Sequence, residues 1–298
     1  MKSDCRHGFT LTEILIAIGV IVVLSGIAFP VFARAKAASK KAGCLANEHQ
    51  LWTGLSLYAT DNDERHPVTK TPATLFKKPF DAGMGWAGRV FPYIKSAKSF
   101  HCDGDATQSQ PKDGTGTELA SVSYALNLNV SVTPNQAQMV APSKTVWLFE
   151  VTGNQAHIGA PDEAVGKLTQ ESDQLSPIGD GTQGAILSNI LHWTGPVGQG
   201  VFTTYATGHI DNWQVRHAPV ADDYEDLPGR HFEGSNFLAA DGHSVWLPGA
   251  KVSAGGNAKE SNSKQTDQGC NLIGAKLFLW PCAEGTDLAE HTLTFSLR

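Results

Sequence analysis

The chain has 298 residues, 23 Lys and Arg against 29 Asp and Glu, a formal net charge of −6 and 41% hydrophobic residues. That hydrophobic share is too high for a disordered chain and is enough to fill the core of one or two domains. A negative balance spread along the chain argues against a nucleic-acid backbone as the main partner, because that binding needs clustered Lys and Arg. The 30 Gly and 15 Pro predict many turns, with loops and strands outweighing helices over most of the length.

Residues 1–8 are polar. From Phe9 to Phe32 the chain is apolar except for small residues and Glu13, and Ile14–Phe29 carries no charge. About 20 such residues cross a bilayer as a helix. Three readings of the segment compete. It is a cleaved signal peptide, with Ala33-Arg34-Ala35 as the A-x-A site. It is a plain uncleaved anchor. Or it is a segment in which Glu13 has a job, since an acid in hydrocarbon costs about 3 kcal/mol and calls for a partner.

Gly8-Phe9-Thr10-Leu11-Thr12-Glu13, followed by the apolar run, resembles the class III signal of type IV prepilins and of the pseudopilins of type II secretion systems. The resemblance implies cleavage after Gly8 by a prepilin peptidase and methylation of Phe9. It implies that Glu13, fifth from Phe9, pairs with the N-terminal amine of a neighbouring subunit. A buried carboxylate is tolerable only when paired, so a subunit lacking its partner is penalised. Pro30 falls where pilin helices bend or melt, as a proline inside a helix removes a hydrogen bond. Thr12 departs from the pattern, which usually has Leu, Ile or Val there. The family further implies a single-pass inner-membrane precursor with an exported C-terminal head, later placed in a periplasmic or cell-surface fibre. Arg34, Lys36, Lys40 and Lys41 outnumber Lys2 and Arg6, and that count alone would keep the C-terminal part in the cytoplasm. The signal outweighs the count, because a basic flank of this kind is common in pilin-like proteins.

Beyond Pro30, Ala38, Ala42, Leu45, Trp52, Leu55 and Ala59 recur at helical steps. They predict a helix from Phe9 to about Thr60, roughly 78 Å long, whose second half lies against a head. It ends at Asp61-Asn62-Asp63, and Pro67 closes it. Asp61–Arg65 lacks the Gly and distal Glu of a calcium loop and reads as a solvated acidic turn, as does Asp222–Asp226. The chain thus divides into a leader (1–8), a transmembrane and stem helix (9–60) and a globular head (61–298).

In the head, strands are expected at Ser121–Leu128, Thr145–Val151, Ala185–Leu191, Val201–Tyr205, Asn236–Ala240, His243–Leu247, Leu272–Trp280 and His291–Leu297. The last alternates Leu293, Phe295 and Leu297 with Thr292, Thr294 and Ser296, which predicts a half-buried antiparallel strand. No segment of the head shows a strong helical period, so crossover helices and a parallel sheet are not expected. The fold class is α+β: a long N-terminal helix packed on an antiparallel sheet with long loops.

Asp241-Gly242 between two apolar runs predicts a two-residue hairpin turn with positive φ at both positions. His231 precedes Asp241 by nine intervening residues. The stretch Arg230–Leu247, with Gly234 and Asn236 inside it, resembles the H-X9-DG motif of a large pilin-like family. The pieces FHCDGD, SYALN and PSKTVWLFE fit that family's order, while residues 152–230 and 250–298 match no motif. His231, Asp241 and His243 are possible metal ligands, but a histidine beside a tight turn more often fixes strand register through backbone hydrogen bonds. Neither a metal nor a cofactor is expected, and no hydrolase or P-loop signature is present.

Removing the leader takes Cys5 and leaves Cys44, Cys102, Cys270 and Cys282, an even set. Four cysteines allow three pairings. Cys44–Cys102, clipping stem to head, and Cys270–Cys282, closing a short loop, are preferred over buried thiols or zinc, for which no C-x-x-C spacing argues. The function expected is structural: a pilin-like or pseudopilin subunit whose partners are prepilin peptidase, other subunits and the inner membrane. The alternative is a tethered, exported protein that binds a ligand or glycan.

Overall fold

The computed structural model describes residues 10–67, 85–110, 118–131, 136–152, 154–159, 176–179, 181, 204–207, 229–270 and 280–298. Its contacts divide the chain into Met1–Lys40 and Lys41–Arg298. The expected strands at Ala185–Leu191 and over most of Leu272–Trp280 lie outside the described residues, as do Asp222–Asp226, Gly8 and Phe9.

Helix α1 (Leu11–Asp61) runs for 51 residues and contains Pro30 without a break. A single proline removes one backbone hydrogen bond, and the surrounding helix formers hold the rest. Thr10, Leu11, Thr12 and Glu13 form a capping box. The Thr10 amide and hydroxyl both donate to Glu13 Oε2 at 2.8 Å, and the Glu13 amide donates to Thr10 Oγ1 at 3.3 Å. In the first unit, the large apolar side chains from Leu11 to Phe32 are 54–79% exposed. Length and apolarity suffice for this helix to cross a membrane.

In the second unit, α1 buries Cys44, Glu48, Leu51, Gly54, Leu55 and Ala59. Leu55 and Ala59 are buried as expected, but Ala42 is exposed and Leu45 and Trp52 are half-buried, so the upstream part of the expected face is corrected to Cys44, Glu48 and Leu51. The helix ends where Asp63 and Glu64 take positive φ and the Asn62 amide side chain donates to the Tyr58 carbonyl.

The strands are β1 (Ala120–Ser121), β2 (Tyr124–Asn127), β3 (Val146–Thr152), β4 (Gln155–Ala156), β5 (Ile178–Gly179), β6 (Thr204–Tyr205), β7 (Gly234–Ala239), β8 (Ser244–Pro248), β9 (Val252–Ser253), β10 (Thr266–Cys270), β11 (Trp280–Cys282) and β12 (Leu293–Thr294). The main sheet has the order β5-β2-β3-β7-β8, with β6 on the end of β3. One face packs Tyr124, Leu126, Leu148 and Leu238 with Leu51 and Leu55 of α1. The other packs Ala125, Phe149 and Phe237 against Val252, Leu293 and Phe295. The main sheet therefore lies between a helical layer and the C-terminal segments.

Three expectations for the head fail. The WAGRVFPYI segment forms helix α2 (Trp86–Ile94) despite Pro92, burying Trp86, Ala87 and Val90. Among the described residues, two strand pairings are parallel, β2 with β5 and β9 with β12. The C-terminal segment is not half-buried: Thr294 and Ser296 are as buried as Leu293 and Phe295. Its hydroxyls tolerate this because Thr294 donates to the Glu284 carbonyl and Ser296 to the Arg298 carbonyl.

Candidate functional site

The hairpin β7–β8 organises the motif residues. Its turn is not the expected two-residue one. The Gly242 amide donates to the Ala239 carbonyl at 3.0 Å, and the Ala239 amide donates to the His243 carbonyl at 2.9 Å. Gly242 has φ +96°, whereas Asp241 is not among the residues of positive φ. This is a turn closed by a glycine bulge, which asks for a left-handed residue only at its end. A side chain on Gly242 would also meet the Trp52 indole at 2.4 Å, so glycine lets the stem approach the turn.

At the other end of the hairpin, Gly234 fits beneath Trp246, where an added Cβ would lie 2.6 Å from the ring and from the Leu247 carbonyl oxygen. His231 precedes it, with its amide donating to the Gly234 carbonyl and its own carbonyl accepting from Trp246 Nε1 at 2.7 Å. The motif's His and Asp are thus separated by the length of β7. His231 is buried, while Asp241 bonds the neighbouring exposed His243 at 2.6 Å. The structure does not bring His231, Asp241 and His243 together as one ligand set.

What His231 does meet is Glu150, fully buried in β3, at 3.1 Å. Glu150 Oε2 accepts from the Ser235 hydroxyl and, at 3.0 Å, from the Asn236 amide; Oε1 faces His231 and lies 3.8 Å from Arg230 Nη1. Asn236 also reaches from its amide side chain to Glu150 Oε1 and to the Lys41 carbonyl of α1, at 3.3 and 3.5 Å. Arg230 turns its other nitrogen to Asp105, 3.3 Å away, and donates to the Val151 carbonyl. Burial pushes the Asp105 carboxyl up, but Arg230 and hydrogen bonds from Thr107 and Thr152 outweigh it and hold Asp105 below the usual range. Ser123 links Asp105 to the Cys102 amide. The segments FHCDGD (100–105), PSKTVWLFE (142–150) and RHFEGSN (230–236) therefore converge on one buried polar cluster.

Cys44 in α1 is disulfide-bonded to Cys102 beside this cluster, and Cys270 to Cys282, the pairing preferred from the sequence. One turn along α1 from Cys44, Glu48 is fully buried, and the Ser244 hydroxyl lies near without hydrogen-bond geometry to either oxygen. Burial, reinforced by the charge of Glu150, pushes its carboxyl well above the ordinary range, so it is held neutral. His66 is likewise buried, edge-on to Trp147 with ring centroids 5.2 Å apart, and burial lowers its pKa to about 4.

Sequence reasoning missed Glu150, Arg230, Asp105 and Glu48 as participants. The available signal was a charge inside an apolar run: Glu150 ends VWLF, and Glu48 falls between Cys44 and Leu51 on the buried stem face. A charge in such a place needs a partner or must give up its charge.

A family model described as the prokaryotic N-terminal methylation motif matches residues 4–29. No curated protein and no solved structure matches the chain. The matched segment supports a pilin-like precursor, processed by prepilin peptidase and held in the inner membrane by its apolar helix.

Proposed function

We propose that this chain is a structural pilin-like subunit, cleaved after Gly8, methylated on Phe9 and built through its N-terminal helix into a type IV pilus-like fibre or a type II secretion pseudopilus. The observation that carries the reading is the pairing of a matched processing signal with a helix whose large apolar side chains from Leu11 to Phe32 are at least 54% exposed. Such a surface wants lipid first and neighbouring helices afterwards. Glu13 caps its own helix in the single chain; in the fibre, the methylated amine of a neighbouring Phe9 takes its place as partner. The H-X9-DG head is displayed by this assembly, and no residue is given a catalytic role.

Intact mass of the processed chain should begin at Phe9 and carry one extra methyl group. A mass that retains residues 1–8 overturns the reading. Glu13→Ala should leave cleavage intact and abolish sheared surface fibres. Normal surface display with no fibre in either strain would instead favour a tethered ligand- or glycan-binding protein. That second reading draws on one observation, an open cleft of about 500 Å³ lined by His101, Asp105 and Ala106–Ser109, whose polar side chains could bond a hydroxyl-rich ligand.

A further inference from the structure

The disulfide between α1 and the head does not stand alone. Cys44 Sγ, Cys102 Sγ, a carboxylate oxygen of Glu150 and a ring nitrogen of His231 all lie within 4.8 Å of one another, and all four residues are buried. They come from α1, from the loop after the Ala97–Phe100 turn, from β3 and from the turn before β7. Zinc holds thiolates at about 2.3 Å and imidazole or carboxylate at about 2.1 Å, so the edges of its tetrahedron run from about 3.4 to 3.8 Å. Here Cys102 Sγ is 3.7 Å from His231 Nε2, and His231 Nε2 is 3.1 Å from Glu150 Oε1. The edge that must lengthen most is the disulfide, 2.02 Å, while the edge between His231 and Glu150 opens by a few tenths of an ångström.

We infer that Cys44, Cys102, Glu150 and His231 form a redox-gated zinc site, closed to the ion when the cysteines are joined and occupied when they are reduced. An external dithiol supplies the two electrons: the protein disulfide becomes two thiols as the dithiol becomes a disulfide. Zn²⁺ then displaces one proton from each thiol, and the two protons leave to solvent. Two thiolates and one Zn²⁺ carry no net charge, so exchanging the disulfide for the zinc dithiolate leaves the buried charge as it was. That balance matters in a pocket where ions are costly. Glu150 keeps its existing counter-charge in Arg230.

The outer contacts are those a metal site uses to orient its ligands. Glu150 Oε2 is fixed by Ser235 and Asn236, which leaves Oε1 turned inward. The Gly104 amide donates to Cys102 Sγ at 3.4 Å, a contact that favours a thiolate. Glu48, buried and neutral one turn from Cys44, adds no charge to the site. With the metal bound, His231 carries its proton on Nδ1 and presents Nε2 to zinc, giving up its hydrogen bond to Glu150.

The test uses the full-length chain in detergent, oxidised or reduced with dithiothreitol, and titrated with Zn²⁺ and Co²⁺. The reduced chain should take one Zn²⁺, and Co²⁺ should produce thiolate charge-transfer bands; the oxidised chain should do neither. Cys270→Ser with Cys282→Ser should leave binding unchanged. Loss of a ligand in His231→Ala should weaken it by at least about tenfold, the lower bound for loss of a mere outer contact. A reduced chain without zinc, an oxidised chain that binds it equally, or undiminished binding in His231→Ala overturns the site. Should His231→Ala fail to fold, X-ray absorption of the zinc-loaded reduced wild type decides: two sulfur and two lighter ligands support the assignment, and any other shell overturns it.

Discussion

The two halves of α1 are one unbroken helix placed in opposite surroundings. From Leu11 to Phe32 it is apolar and exposed; from Cys44 to Ala59 its inner face is buried and carries a glutamate. The first half is governed by what lies outside the chain, because an exposed apolar surface is stabilised only by lipid or another helix. The second is governed by what lies inside, where each polar group must find a partner or lose its charge. Helix propensity is indifferent to the distinction. The surroundings, not the secondary structure, separate an assembly segment from a core segment.

The largest break in that contrast should come from the buried charge cluster. Glu150→Ala takes the shared carboxylate from His231, Ser235 and the Asn236 amide and one of its two counter-charges from Arg230, which keeps Asp105, and should lower stability by about 3–5 kcal/mol in chemical denaturation. Leu55→Ala, at a fully buried position of the second half, should cost about 2–5 kcal/mol by the same measurement. His66 should sharpen the comparison through pH. It is neutral when folded, with its pKa lowered from 6.5 to about 4, so the stability it contributes is complete above pH 6.5 and falls by about 3 kcal/mol as pH drops toward 4. His66→Phe should flatten that acid limb. Glu48 acts with the opposite sign: held protonated when folded, it favours the fold at low pH and loses that advantage as pH rises through its raised pKa. Glu48→Gln should remove this loss with rising pH from the same series. The smallest effect is expected at Leu15→Ala. Leu15 is 60% exposed, and the change should leave the unfolding of the head within about 0.5 kcal/mol of wild type.

Much of this architecture was readable because its causes are local. An uncharged run with Glu13 at its start, helical spacing in the stem, and a Gly between two apolar runs each act over a few residues. The turn at Gly242 shows where local reading stops. The residue type was legible, but the bulge that spares Asp241 a positive φ depends on the register of β7 with β8. Helix α2 was hidden by Pro92, although Trp86, Val90 and Ile94 lie four apart; packing of Trp86 and Val90 in the core outweighs the proline. Thr294 and Ser296 looked like a solvent face because hydroxyls are cheap to expose. They are buried because backbone carbonyls distant in sequence or at the chain end accept from them. The buried cluster was the least visible part of all. Asp105, Glu150 and His231 were in view as pieces of motifs, but their meeting depends on β3 and β7 lying side by side.

The clip between Cys44 and Cys102 also has a mechanical meaning. The two cysteines are 58 positions apart, so the last turns of α1 and all of α2 lie within the loop they close. A pull applied between the N-terminal helix and any point beyond Cys102 crosses from one sulfur to the other. The enclosed segment, with its stem packing and its glycine-mediated contact between Gly54 and α2, bears none of that tension. Under load, the head should yield first in β-structure beyond the clip, while the joint with the stem holds.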